Sequence, residues 1–329
     1  MSLAKTKKRK IQKKIFSEAR PQVKKLQREF YSLEQINNFK TIIKHDSQIY
    51  STYNRDILII GLDEVGRGCV AGPVCTGAYS CSSFYLHGKE LLEDIIRSRQ
   101  LSSGEFMSYS NRDLYYSETI INEGSIEEDL QEIEALSSLL LLEDSKQVPH
   151  AKREKLCDSL LNVPSFSPES HILYATDYHS ASQIDTIGIV PCIWSSMTNN
   201  VINIVLQYFE FYHRYPGEVL LLVDGPKTIA NISNLIKIKL DERNITDLNF
   251  NLQQQAIIRG DSHSALIAAA SNLAKSARDK YMRELASKHT NYLWENNVGY
   301  GTKKHLEAIQ THGMTSEHRR SFLSNYEVN

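Results

Sequence analysis

Apolar and polar positions follow two periods along the chain. Ile57 to Leu62 is a wholly apolar run of strand length and reads as a buried strand, with a second near Val70–Tyr79. Strands are also expected near His171–Thr176, over the apolar run Val219–Val223 and near Asn251–Ile258. Helical spacing marks 150–161, Ile193–Phe211 and an Ala-rich stretch of roughly Ser264–His289 that Asp261 opens. Leu130, Ile133, Leu136 and Leu140 also recur at helical spacing, within what reads as an inserted segment. Residues 31–55 read as a connector, and a polar segment with His318-Arg319-Arg320 closes the chain. There is no internal repeat. Strands interleaved with helices give an α/β fold.

Composition adds an asymmetry to this picture. Hydrophobic residues make up 41% of the 329 and charged residues 23%, which is ordinary for a globular protein with a sizeable core. The net charge of −1 favours no partner class, but it hides two opposite segments. Residues 1–30 carry eleven Lys and Arg against Glu18 and Glu29, net +9; residues 85–143 carry thirteen acids against four bases, net −9. The first is expected to be a flexible basic extension over 1–50, either a solvated tail or a nucleic-acid-binding arm. The second reads as an acidic helical insertion near 85–140 in a catalytic domain spanning 55–329. The five cysteines are odd in number and lack a Cys-x-x-Cys pair, which fits a reduced, cytoplasmic setting and signals no zinc site. No apolar run approaches the roughly 20 residues that span a bilayer, so no membrane partner is expected.

The chemistry-bearing positions are acids at strand ends. Asp63 and Glu64 follow the first apolar run, Asp224 ends another, and Asp261 stands before the long helix. Ends of strands converge on one edge of an α/β sheet. Carboxylates gathered there would repel, two of them 4 Å apart costing about 4 kcal/mol at an effective dielectric of 20. Divalent cations remove that cost, so one or two oxygen-ligated Mg²⁺ or Mn²⁺ ions are inferred. One Asp after a strand is ordinarily a turn or cap; an ordered set is harder to dismiss. Neighbours on a strand point to opposite faces, so Asp63 and Glu64 share a site only if the strand ends there. Gly66-Arg67-Gly68 would bring bare N–H groups and a positive charge to an anion.

These residues resemble the type 2 ribonuclease H family, ribonuclease HII. Its opening motif matches Gly61-x-Asp63-Glu64-x-Gly66-Arg67-Gly68 with Ala71-Gly72-Pro73, and its second block Asp144-Ser145-Lys146. Later blocks match Ile184-Asp185 with Gly188-Ile189, Val223-Asp224-Gly225, and Asp261-Ser262 with Ile267 to Ser271, Ala274-Lys275 and Arg278-Asp279. The last matches Gly299-Tyr300-Gly301-Thr302 with His305-Leu306 and His318-Arg319-Arg320-Ser321-Phe322. The order of blocks is the family's. Residues 1–50 and most of 85–140 lie outside the resemblance.

The resemblance implies a ribonuclease H-like mixed sheet flanked by helices, with a helical C-terminal part. It implies an endonuclease that hydrolyses the RNA strand of RNA–DNA hybrids and cuts at ribonucleotides embedded in duplex DNA, leaving 3′-hydroxyl and 5′-phosphate ends. Asp63, Glu64, Asp224 and Asp261 would be the catalytic metal ligands. The Gly66, Arg67 and Gly68 backbone would meet the ribose 2′-hydroxyl and its phosphates, Tyr300 would stack on the following deoxyribose, and Lys146 and Arg67 would contact phosphate. His305 and His318 are read as structural, and Arg278-Asp279 as a pair on the long helix. Two departures stand out: Cys69 follows Gly-Arg-Gly where the family usually has Pro, and Arg259 precedes Gly260 where it has Lys. A non-catalytic binder of the same fold, or a DNA nuclease, are the competing readings.

Overall fold

The computed structural model describes residues 33–53, 57–89, 91, 93, 139, 142, 150–163, 170–245 and 250–324. Five strands form a single mixed sheet: β1 (Ile57–Val65), β2 (Val74–Cys81), β3 (Ile172–His179), β4 (Glu218–Asp224) and β5 (Asn251–Ile257), in the order β3-β2-β1-β4-β5. β1 lies antiparallel to β2 and parallel to β4, β2 antiparallel to β3, and β4 parallel to β5. This is the ribonuclease H-like α/β arrangement, with helices on both faces.

The apolar runs are continuous because both faces of the central strands are covered. Ile57, Ile59, Leu220 and Leu222 face the helix Ala265–Lys288, while Leu58, Ile60, Leu62, Val219, Leu221 and Val223 face the helix Ile189–Tyr212. In chain order the described helices are α1 (Leu33–Ser51), α2 (Ser82–Leu86), α3 (His150–Leu161), α4 (Ala181–Ile187), α5 (Ile189–Tyr212), α6 (Ile232–Glu242), α7 (Ala265–Lys288), α8 (Trp294–Asn297) and α9 (Lys303–His312). The alanines of α7 let it sit directly on the sheet. A Cβ at Gly61 would lie 2.3 Å from the Leu266 carbonyl carbon, so β1 can carry nothing larger where α7 crosses it.

Three readings change. Residues 33–51, expected to be connector, form α1, whose Phe39, Ile42 and Ile43 are buried in the α7-side core. The buried Asp46 carboxylate of α1 accepts from the Leu266 backbone N–H (3.1 Å), supplementing the Ser264 cap at the start of α7. A connector cannot be told from a helix by charge pattern when its partner face is 200 residues away. Second, α5 is 24 residues long and apolar enough to cross a membrane, which the search for apolar runs missed; here its buried side is the layer beneath β2 and β3. Third, the second strand starts at Val74 rather than Val70, because the C-terminal part claims the preceding backbone. The acidic insertion, including Leu130 to Leu140, falls almost wholly outside the described residues, as do residues 1–32; Leu91, Leu139 and Leu142 are buried against the core.

Candidate active site

β1 does not stop at Leu62. Its antiparallel ladder with β2 continues through Asp63↔Gly77, Glu64↔Thr76 and Val65↔Cys75, although the parallel ladder with β4 ends at Leu62↔Val223. The two acids are therefore still inside the paired strand, which the sequence did not anticipate, but at its last residues, where Glu64 remains close enough for the Asp224 charge to raise its carboxyl. The register makes Asp63 and Asp224 neighbours across β1 and β4 on the α7 face, at the notch where the parallel pairing runs out.

Asp63 is 5% exposed. Burial first, and the Asp224 charge second, push its carboxyl well above the usual range. The Ser271 hydroxyl of α7 opposes this by donating to it, and Lys275, one helical turn on, donates from Nζ to Ser271 Oγ (3.1 Å). Glu64 is also raised by burial, while Arg67, 3.3 Å from its Oε1, draws it back down. Asp224 Oδ1 accepts from the Gly260 backbone N–H (2.6 Å), which ties the end of β4 to a 3₁₀ turn, Gly260–Ser262, that carries buried Asp261. Asp261 thus precedes α7 instead of opening it; Ser264 is the N-cap.

Among the described residues, no three His, Cys, Asp or Glu side chains are gathered to hold an ion as they stand. Asp224 Oδ1 accepts from Gly260 N–H and Glu64 Oε1 from Arg67, while the charges of both still raise Asp63. The donor set still fits a hard divalent cation. It is all carboxylate oxygen, and the mutual repulsion that raises Asp63 is what such an ion relieves.

The Gly66–Pro73 loop is held by two buried arginines. Arg278 donates from Nε to Pro73 O (2.9 Å), from Nη1 to Val298 O (2.8 Å) and from Nη2 to Ala71 O (3.2 Å). Arg319 donates from Nε to Gly72 O (3.0 Å) and from Nη1 to Arg67 O (3.2 Å). Backbone bonds from Val70 and Ala71 to Gly299 O and from Arg319 to Val70 O complete the stitching. The loop carrying Gly-Arg-Gly and the loop carrying Tyr300 are thereby one unit. Gly68 has open space where a side chain would stand, the Arg67 side chain is 60% exposed, and Tyr300 is 47% exposed. The Tyr300 hydroxyl meets the buried Cys69 thiol, whose titration burial pushes up.

The paired reading of Arg278 with Asp279 is corrected: Arg278 serves backbone carbonyls, and Asp279 pairs with Arg153 of α3. His305 and His318 are structural, as read. His318 Nδ1 accepts from Thr315 N–H, so its Nε2 carries the proton and points to His305 Nε2 at 3.2 Å; His305 Nδ1 then donates to Tyr300 O. Lys146 lies outside the described residues. Sequence reasoning missed the Ser271–Lys275 support of Asp63, for which the i, i+4 spacing on a buried helix was the available signal.

The family model described as ribonuclease HII matches residues 129–325. The chain belongs to the ribonuclease HII family. It is 30% identical over 292 residues to the ribonuclease HII of Clostridium beijerinckii, covering 89% of this chain and 76% of that one. It is 28% identical over 287 residues to that of Staphylococcus saprophyticus, covering 87% and 77%. The ribonuclease HII of Archaeoglobus fulgidus, solved in a complex with PCNA, aligns with a TM-score of 0.45 at 18% identity, covering 83% of this chain and 96% of that one. Family membership makes the chain a metal-dependent endoribonuclease acting on the RNA strand of RNA–DNA hybrids.

Proposed function

We propose that Asp63, Glu64, Asp224 and Asp261 hold the catalytic divalent cations, Mg²⁺ or Mn²⁺, and that the enzyme also cuts at single ribonucleotides embedded in duplex DNA. The observation that carries the assignment is the register: Asp63 and Asp224 are neighbours on one sheet face, and the Asp224 charge raises the cost of ionising Asp63. The bound ions would supply an activated water and charge stabilisation at the leaving oxygen. The chain's own residues bind and orient. Ser271, backed by Lys275, aims the Asp63 carboxyl and opposes its protonation. The Gly66–Gly68 backbone, open at Gly68, accepts the ribose and its 2′-hydroxyl, the group that separates RNA from DNA in the shallow minor groove. Tyr300, fixed to that loop through Arg278, offers its ring to the next sugar. Arg67 and Lys146 contact phosphate.

Asp224→Asn tests the assignment. The amide oxygen can still accept from Gly260, so the fold should persist, while cleavage of a DNA duplex containing one ribonucleotide falls by at least about 100-fold, the scale on which electrostatic catalysis is lost. Wild-type cleavage by this variant would refute the ligand set.

A further inference from the structure

The described surface carries a second set of groups beside the acids that the reaction has not used. Sheet order places Asp63 and Asp224 in the middle, with the Gly66–Gly68 loop leading towards β2 on one side and the loops after β4 and β5 on the other. Those two loops are joined: Gly225 N–H donates to Ile257 O (2.9 Å), and Gly260 N–H to Asp224. On them stand Lys227 and Arg259, both exposed. Among the described residues neither side chain has a hydrogen-bond or ion-pair partner, whereas Arg67 is engaged by Glu64. Between them Ile258 is 69% exposed, the most of any large hydrophobic described. The turn presenting it is built, not loose: Arg259 sits at φ 55°, and its carbonyl accepts from Ser262 N–H (2.9 Å) and from His263 Nδ1 (2.8 Å).

We propose that Lys227 and Arg259 grip backbone phosphates of the duplex, with Ile258 against a sugar face, on the side of the acids away from Gly66–Gly68. This rests on the nucleic-acid reading above and deepens it. The turn after β5 is two strand spacings from β1, about 10 Å. A strand rises about 3.4 Å per nucleotide, so the gripped phosphates lie about three nucleotides from the cut. Two unpaired cations and an unpaired apolar side chain, fixed to the same loops that carry two of the acids, match a polyanion with an apolar sugar edge.

The experiment measures binding of the full chain to a DNA duplex containing one ribonucleotide, in EDTA so that no strand is cut, as a function of salt. Lys227→Gln removes one charge. Arg259→Gly removes the other and keeps the turn, since glycine adopts positive φ freely. Each should flatten the slope of log K against log salt by about 0.9, and the double variant by about 1.8 with roughly tenfold weaker binding at moderate salt. Cutting the duplex back to two base pairs on one side of the ribonucleotide, and not on the other, should erase the difference from wild type. Unchanged slopes, with wild-type cleavage in Mg²⁺ intact, overturn the grip alone. A wild-type chain that leaves this duplex uncut overturns the functional reading beneath it.

Discussion

At the scale of single residues, the site depends on positions where nothing larger fits. A Cβ on Gly66 would fall 2.2 Å from Arg278 Nε, and the backbone there stands at φ 86°. Gly66→Ala should therefore displace the guanidinium from Pro73 and cost roughly 1–3 kcal/mol, the usual scale of overpacking, more where φ is positive. Urea unfolding would read this, and cleavage should fall with it; a variant as stable and active as wild type would show that the loop is held by other means. The acids were plain in the sequence as residues. Their pleat was not. Asp63 and Glu64 looked like the end of a strand because the apolar run stops at Leu62, yet β2 carries the ladder three residues further. Hydrophobicity reports apolar burial, and a strand can stay paired, and at Asp63 buried, after its apolar residues have ended.

At the scale of elements, α1 and the arginine clamp decide whether the sheet edge is competent. Phe39 is fully buried and meets Phe84 edge-on at 6.4 Å between centroids. Phe39→Ala should cost about 3–5 kcal/mol of stability in denaturant unfolding, the range for large aromatic truncations in a core. A loss below about 1 kcal/mol would mean that α1 is dispensable. Arg278→Leu leaves three carbonyls without their donor, at roughly 1–3 kcal/mol for each that stays unpaired. It should uncouple Tyr300 from Gly66–Gly68. The expected readout is a larger loss in cutting a lone ribonucleotide than in cutting a long hybrid, where many registers serve. Equal losses on both substrates would indicate a purely structural arginine. The family blocks contained Arg278 and Arg319 without their roles, because a buried guanidinium on backbone carbonyls leaves no sequence periodicity.

At the scale of the whole molecule, buried histidines set an acid limit on the fold. His171, just before β3, joins β2, α2 and α5 through Ser80, Tyr85 and Tyr212, and burial pulls it down to about 3; His318 is pulled down to about 4 by burial and by His305. Both folded values lie below the unfolded 6.5. Their contribution is complete above about pH 6.5 and is lost as pH falls through the window down to 3–4, by at most about 1.4 kcal/mol per unit for each histidine. The raised carboxyls of Asp46 and Asp63 act in the opposite sense, adding stability as pH falls. Comparing wild type with His171→Asn isolates the histidine: unfolding free energies at pH 7.5 and pH 5 should differ more in wild type. Parallel pH dependence in the two proteins would show that His171 is not buried neutral.

The sequence alone determined the strands β1 and β4, the long helices, the acids and their order along the chain, because burial periodicity and charge are local properties that no partner needs to reveal. Tertiary structure decided what those residues could do. Strand register made Asp63 and Asp224 neighbours and left Glu64, one residue on, within reach of the Asp224 charge. Packing turned residues 33–51 into a helix that caps α7, and the clamp on Gly66–Pro73 joined two segments more than 200 residues apart into one surface. Register and long-range hydrogen bonding depend on which elements meet, and the order of residues along a chain does not carry that by itself.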